Sequence, residues 1–216
     1  MRVARRSRRV ALLCASLATS LALLAACSAL APSKLELPHR YALDRAPLIA
    51  ASAITARGLV LMVRPPRAAA GFDTVHMIYS RNRHELEYFA HSEWVESPAR
   101  MLAPLLVAAL TDGGAFRAVL ASDSAARGDL WLETEILHLQ QEFDKSPSTA
   151  RFALRAELID AHTRGLLAWR EFDISVPAAS DSPQGGVMAA NQAVQTALTE
   201  LTAFCAEAAG DAQAQP

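Results

Sequence analysis

The alternation of apolar and polar residues predicts three long strands in the second half of the chain. Apolar and polar residues alternate from Leu130, from Arg151 and from Leu166, each time with the two-residue period of a half-buried strand. The apolar pair Ile136-Leu137 interrupts the first alternation and predicts a β-bulge. Because short links join the three strands, we expect an antiparallel meander.

Two stretches with apolar residues at three- and four-residue spacing predict helices. The first begins at Ser97, an N-cap residue followed by proline, and ends at Gly113. Pro104 lies inside this stretch and predicts either a bend or a later helix start. The second helix carries its apolar stripe from Val187 to Ala208, after a loop rich in glycine.

Short apolar runs predict further strands, at 41–43, 59–63, 75–79, 86–89 and 115–120. Together with the helices they predict an α+β fold, in which a two-layer domain has a mostly antiparallel sheet packed by two helices. The chain has no internal repeat and no second linker. We therefore expect one domain over residues 41–208, followed by a flexible tail over residues 209–216.

Residues 1–26 have the layout of a signal peptide. Five arginines in the first nine residues precede an uncharged run of sixteen residues, shorter than the roughly 20 that a membrane-spanning helix needs. The run ends in Leu24-Ala-Ala-Cys27, which resembles the bacterial lipobox. We predict cleavage before Cys27 and acyl chains on that residue, with residues 27–40 as lipidated cysteine and tether. A plain signal peptide and an uncleaved anchor are the alternatives.

The residue after Cys27 bears on the destination of the protein. An aspartate there would favour retention at the inner membrane, whereas this chain has Ser28. We therefore expect a protein anchored by lipid (palmitate and related acyl chains) to the periplasmic face of the outer membrane. Export by the general or by the twin-arginine route is left open. With Cys14 removed and Cys27 lipidated, Cys205 would be the only free thiol, so the mature chain could form no internal disulfide.

The charge of the chain is unevenly distributed. The whole chain has 21 basic and 22 acidic residues, but without the five N-terminal arginines 16 bases face 22 acids. Lys34 to Arg83 holds eight bases and three acids, and the remainder holds eight bases and nineteen acids. A basic segment near the anchor favours contact with anionic head groups, although chance surface charge explains the same split.

Composition and motifs exclude several classes of protein. A 52% apolar content excludes a chain that is disordered throughout, and the balance of charge excludes a nucleic-acid binder with a basic bulk. The motifs of serine hydrolases, nucleotide-binding loops and zinc proteases are absent. His84 and His91 match no common metal-ligand spacing. We expect no catalytic residue, no metal and no cofactor, hence a protein that is not an enzyme.

Aromatic residues are concentrated among charged ones between residues 79 and 94. Aromatic side chains dominate the energetics of protein interfaces, so this segment is our candidate for partner contact. The candidate residues are Tyr79, Tyr88, Phe89 and Trp94. The alternative is that three of them, Tyr79, Phe89 and Trp94, fill the core beneath the first helix.

Several segments in order resemble the ABC-type transport auxiliary lipoprotein family, which includes paraquat-inducible protein C. The segments are Pro66–Tyr79, Leu86–Ala90, Glu93–Pro98, Met101–Leu106, Gly114–Val119, Asp129–Glu133, Gln140–Phe143 and Gly185–Ala193. The resemblance spans about Tyr41 to Phe204. It implies an accessory lipoprotein of the cell envelope that works with an ABC permease and ATPase and an MCE-domain protein in phospholipid transport.

The family offers no catalytic residue to carry over beyond the lipid-bearing Cys27. A homo-oligomer is left open, as are the lipid, its direction of transport and whether this domain holds it. The alternative function is a structural or envelope-integrity lipoprotein that binds a protein partner without handling lipid.

Overall fold

The computed structural model describes residues 37–44, 58–82, 84–122, 124 and 126–214. In this part of the chain nine strands form one sheet. The strands are β1 (His39–Tyr41), β2 (Val60–Val63), β3 (Arg67–Ala68), β4 (His76–Ser80), β5 (Glu87–Trp94), β6 (Ala118–Ala121), β7 (Leu130–Glu142), β8 (Thr149–Asp160) and β9 (Leu166–Pro177). The helices of this part are α1 (Pro98–Asp112) and α2 (Pro183–Ala214). The predicted signal peptide and Cys27 lie outside the described residues.

The predicted meander is formed by β7, β8 and β9. β7 pairs antiparallel with β8 from Leu130 to Glu142, and β8 pairs antiparallel with β9. The register of the first pair shifts between Ile136 and His138, which confirms the predicted bulge. These long antiparallel pairings and the two helices confirm the α+β fold.

The other edge of β7 carries three short strands in succession. β2, β3 and β4 each pair with it in parallel, at Leu61–Val63, Arg67–Ala68 and Ile78–Ser80. β6 then adds in parallel to β2, β5 adds antiparallel to β4, and β1 adds in parallel to β5. The sequence did not predict these parallel directions, since a short apolar run indicates a strand but not its orientation.

Helix α1 begins at Pro98, as the sequence predicts, and continues through Pro104. The alternative of a later start is wrong. Proline leaves the carbonyl four residues earlier, that of Arg100, without its helical partner. Both Arg100 and Pro104 lie on the exposed side of the helix, where water can satisfy that carbonyl. Ser97 is the N-cap residue, but its side chain makes no capping hydrogen bond.

Helix α2 is longer than predicted at both ends. It begins at Pro183, so Gly185 and Gly186 lie in its first turn and not in a loop. The Gly185 N–H donates to Ser182 Oγ (3.1 Å), and a side chain at either glycine would collide with Ser180 or Gln141. The absence of a Cβ therefore allows this turn to approach the sheet closely. At the other end the helix runs to Ala214, over most of the predicted tail.

The core lies between the two helices and one face of the sheet. One apolar cluster joins residues of both helices to alternate residues of the meander, and its fully buried members include Leu106, Leu132, Phe152 and Leu201. Cys205 belongs to the same cluster, and burial raises the pKa of its thiol to about 12. The thiol therefore packs as a small apolar group and is not a nucleophile.

The opposite face of the meander is polar and held by ion pairs across strands. Arg155 of β8 donates to Glu171 of β9 (2.7 and 2.9 Å) and lies 3.4 Å from Glu135 of β7. Arg151 binds both carboxylate oxygens of Asp173 (2.9 and 2.7 Å), which lowers the pKa of Asp173. Each arginine thus joins β8 to the edge strand β9.

Candidate partner-contact surface

The structure separates the four aromatic residues that the sequence grouped as a candidate contact site. Trp94 is only 5% exposed and belongs to the core cluster. It is inaccessible to a partner in the folded domain, so the predicted contact is corrected at this residue. The reason is register: Trp94 ends β5 opposite Tyr41 of β1, with its side chain on the face that the helices cover.

Tyr79 and Phe89 form a half-buried aromatic cluster with Phe143. The Tyr79 ring centroid lies 4.6 Å from that of Phe89 and 5.8 Å from that of Phe143. The Tyr79 hydroxyl donates to Glu87 Oε2 (2.7 Å), which raises the pKa of Tyr79. Phe89 packs against the core cluster, as the alternative interpretation predicts, whereas Tyr79 is half-buried and lies outside that cluster.

Tyr88 alone of the four is well exposed, at 53%. It pairs with Ile78 across β4 and β5, and its ring centroid lies 5.2 Å from that of His76. Leu86, two residues earlier in the chain, is also exposed. We call His76, Leu86 and Tyr88 the Tyr88 patch. An exposed aromatic and an exposed leucine beside a titratable ring form a small surface for protein contact.

The described residues contain no group of three or more metal-ligating side chains that could hold an ion. His84 and His91 are both exposed. No helix in the described part is both long and apolar enough to span a bilayer.

Two surface grooves were not predicted from the sequence. One, of about 590 Å³, is bordered by Arg127, Trp131 and His162, with the Arg64 guanidinium carbon 4.1 Å from the centroid of the Trp131 ring. The other, of about 410 Å³, lies between the start of β9 and the last turns of α2. Both bring together residues far apart in sequence, so no local pattern could have indicated them.

Comparison with known proteins decides the family. The family model described as "ABC-type transport auxiliary lipoprotein component" matches residues 41–202. The chain belongs to this family. The match covers β2 to β9, all of α1 and residues 183–202 of α2, and it confirms the resemblance found in the sequence.

Solved structures agree with this family fold. The crystal structure of protein XCC0632 from Xanthomonas campestris, assigned to the family DUF330, is 23% identical and superposes with a TM-score of 0.74, covering 82% of this chain and 99% of that chain. An uncharacterized protein is 13% identical with a TM-score of 0.62, covering 79% of this chain and 99% of that chain. At these identities the likeness concerns the fold alone. No match is found among curated proteins.

Proposed function

We propose that this auxiliary lipoprotein is anchored to the periplasmic face of the outer membrane through Cys27 and serves an ABC/MCE-type phospholipid transport system without catalysis. The observation that carries the proposal is the family match over residues 41–202, directly after a lipobox-like sequence and a short tether. The partners would be an MCE-domain protein and an ABC permease and ATPase.

The core between the sheet and the start of α2 is too tightly packed to hold lipid. A cavity between the sheet and the start of α2, lined by Met77, Phe89 and Trp94 among others, measures only about 10 Å³. That volume admits no more than about one water molecule. An acyl chain cannot enter it without unpacking the core. This observation also favours the second candidate function, an envelope-integrity lipoprotein that binds a protein partner without handling lipid.

Purification from the native envelope separates the two candidates. The full chain with a C-terminal tag would be cross-linked in cells, purified in mild detergent and analysed by quantitative mass spectrometry of proteins and retained lipids. We expect enrichment of a permease, an ATPase and an MCE-domain protein over a control purification of an unrelated tagged outer-membrane lipoprotein. Enrichment of another envelope protein without these three would favour the second candidate and contradict the first.

Replacing Tyr88 by alanine should weaken partner binding while leaving the fold intact. Exposed side chains away from the core change stability by about 0.5 kcal/mol or less. Loss of an aromatic contact of about 1–2 kcal/mol would raise the Kd for the MCE-domain protein about 5- to 30-fold. Pull-down and titration of the MCE-domain protein measure the binding, and thermal unfolding measures stability. Tyr88→Phe, which keeps the ring, is the matched control. Equal binding by Tyr88→Ala and wild type would remove the Tyr88 patch from the interface.

A further inference from the structure

Strand β9 has a long edge with which no other described strand pairs. It has 12 residues, and among the described strands it pairs only with β8. The other free edges of the described sheet are shorter: β1, β3 and β6 have three, two and four residues, and β1 leaves residues 87–91 of β5 uncovered. Unpaired edges present rows of free N–H and C=O groups, and proteins usually shorten or cover them.

The hydrogen-bond pattern identifies the backbone groups that β9 turns outward. Ala178 N donates to Ser148 O (2.7 Å), and this pair continues the β8–β9 register beyond Thr149 and Pro177. Residue pairs of an antiparallel ladder alternate between hydrogen-bonded and non-hydrogen-bonded, so the even-numbered residues of β9 from Ala168 to Val176 hydrogen-bond to β8. Before Ala168 the register of this pair shifts, between Leu158 and Ile159 of β8. The outward-facing residues are therefore Trp169, Glu171, Asp173, Ser175 and Pro177. Proline, which has no N–H, is tolerated at such an outward position.

Large apolar side chains surround the start of this edge. Leu166, Leu167 and Trp169 are 55%, 38% and 59% exposed. With Phe204 and Ala208 of α2 they border the groove of about 410 Å³. Three exposed large apolar residues beside an open strand edge are typical of an interaction site on a soluble domain.

Charges beside this edge favour a basic occupant. β9 and the last turns of α2 carry one arginine, Arg170, against four acids: Glu171, Asp173, Glu207 and Asp211. Arg155 and Arg151 bind the first two of these acids, and Arg170 lies 3.8 Å from Glu207. The α2 side of the groove, with Asp211, therefore remains acidic.

A second copy of the chain fits the edge less well. An antiparallel pairing of two β9 strands centred on residues 171–173 places acids opposite acids, which is unfavourable. The free edges of β1 and β6 are too short to cover twelve residues.

The acids beside the edge argue against an anionic lipid surface as occupant, because Glu207 and Asp211 would repel lipid phosphates. A partner from the transport system rests on the proposed function, whereas the geometry of the edge does not.

We infer that the β9 edge is the docking site for an extended segment of a partner protein. The segment adds as a further strand along the outward groups from Trp169 to Ser175. One of its apolar side chains enters the groove beside Trp169, and a basic side chain meets Glu207 and Asp211. Backbone hydrogen bonds supply affinity in this mode of recognition, and the groove supplies specificity.

Site-specific photo-cross-linking in the native host tests the inference with the full chain. A benzophenone amino acid would replace Leu167 or Ser175, and Met188, a 61% exposed residue of α2, would serve as the matched control position. We expect positions 167 and 175 to cross-link to one protein, at sites separated by about eight residues, as a paired strand requires. Products that contain a second copy of the chain, lipid or an unrelated scatter of proteins would overturn the inference.

Substitutions test separately the two contacts of the proposed docking mode, the apolar groove beside Trp169 and the backbone hydrogen bonds along β9. In the chain with the cross-linker at Ser175, Trp169→Ser should lower the yield at least about tenfold by removing the aromatic anchor. Glu171→Pro, which removes an outward N–H, should lower it more than Glu171→Gln, which keeps that N–H and loses the same charge. Met188→Ser should leave it unchanged. Equal cross-linking yields from wild type and Trp169→Ser would refute binding of the partner segment in the groove, even if the proline variant failed to fold.

These experiments distinguish failure of the β9 docking site from failure of the proposed function. Co-purification of the transporter components without any cross-link from β9 would refute the docking site alone. A strand-spaced cross-link to a protein outside the transport system would support the docking site and refute the proposed function.

Discussion

Replacing Cys27 by alanine should release the protein from the membrane. Each buried CH₂ of an acyl chain contributes about 0.8 kcal/mol, so several chains on one cysteine form an effectively permanent anchor. The described residues offer no spanning helix as a substitute. We expect the wild type in the outer-membrane fraction and the Cys27→Ala variant among soluble periplasmic proteins or as uncleaved precursor. Membrane fractionation and intact-mass analysis of the N-terminus measure the change.

The chain offers a matched control for this substitution. Cys14 lies in the apolar run of the predicted signal peptide, so Cys14→Ala should leave processing, mass and location unchanged. A wild-type protein that begins at Cys27 without acyl chains would contradict the lipid anchor in favour of a plain signal peptide. A wild-type protein that retains residues 1–26 would favour an uncleaved anchor.

Replacing Phe152 by alanine should cost about 3–5 kcal/mol of the free energy of unfolding, the usual cost of truncating a buried phenylalanine. Phe152 is fully buried in the first half of β8, between Leu139 of β7 and Ile174 of β9. Domains of this kind unfold with about 5–15 kcal/mol, so the variant would retain only part of its stability. Urea unfolding followed by circular dichroism measures the loss.

Phe152→Leu separates cavity formation from loss of the aromatic ring. It conserves most of the volume and should cost less than about 1.5 kcal/mol. If the alanine and leucine variants unfolded at the same urea concentration, close packing at Phe152 would not be what stabilises the meander.

The meander and its bulge could be predicted because their signals are local. Apolar residues on alternate positions of β7 identify the buried face, and two apolar residues in a row at 136–137 shift that alternation. The first turn of α2 could not be predicted in the same way. Gly185 and Gly186 are poor helix formers, yet the close approach of this turn to Ser180 and Gln141 requires residues without a Cβ.

The uneven distribution of charged residues along the sequence did not predict where those charges lie in the folded domain. The basic segment from Lys34 to Arg83 suggested a basic surface near the anchor. In the fold, Arg40 lies 4.0 Å from Glu93, while Arg64 and Arg67 both pair with Glu133 of β7. Parallel pairing of β2 and β3 with β7, and of β1 with β5, therefore brings these three bases beside acids of the second part of the chain.

Local sequence patterns were enough to predict the three-strand meander, both helices and the family, because each depends on residues adjacent or evenly spaced in the chain. The signal peptide and the lipid anchor at Cys27 remain predictions. The burial of Trp94, the exposure of Tyr88 and Trp169, and the absence of a second partner for β9 among the described strands follow from the fold alone. A residue's exposure depends on which strands and helices cover it. Contacts between distant segments determine which elements cover a residue, and the local sequence pattern does not specify those contacts.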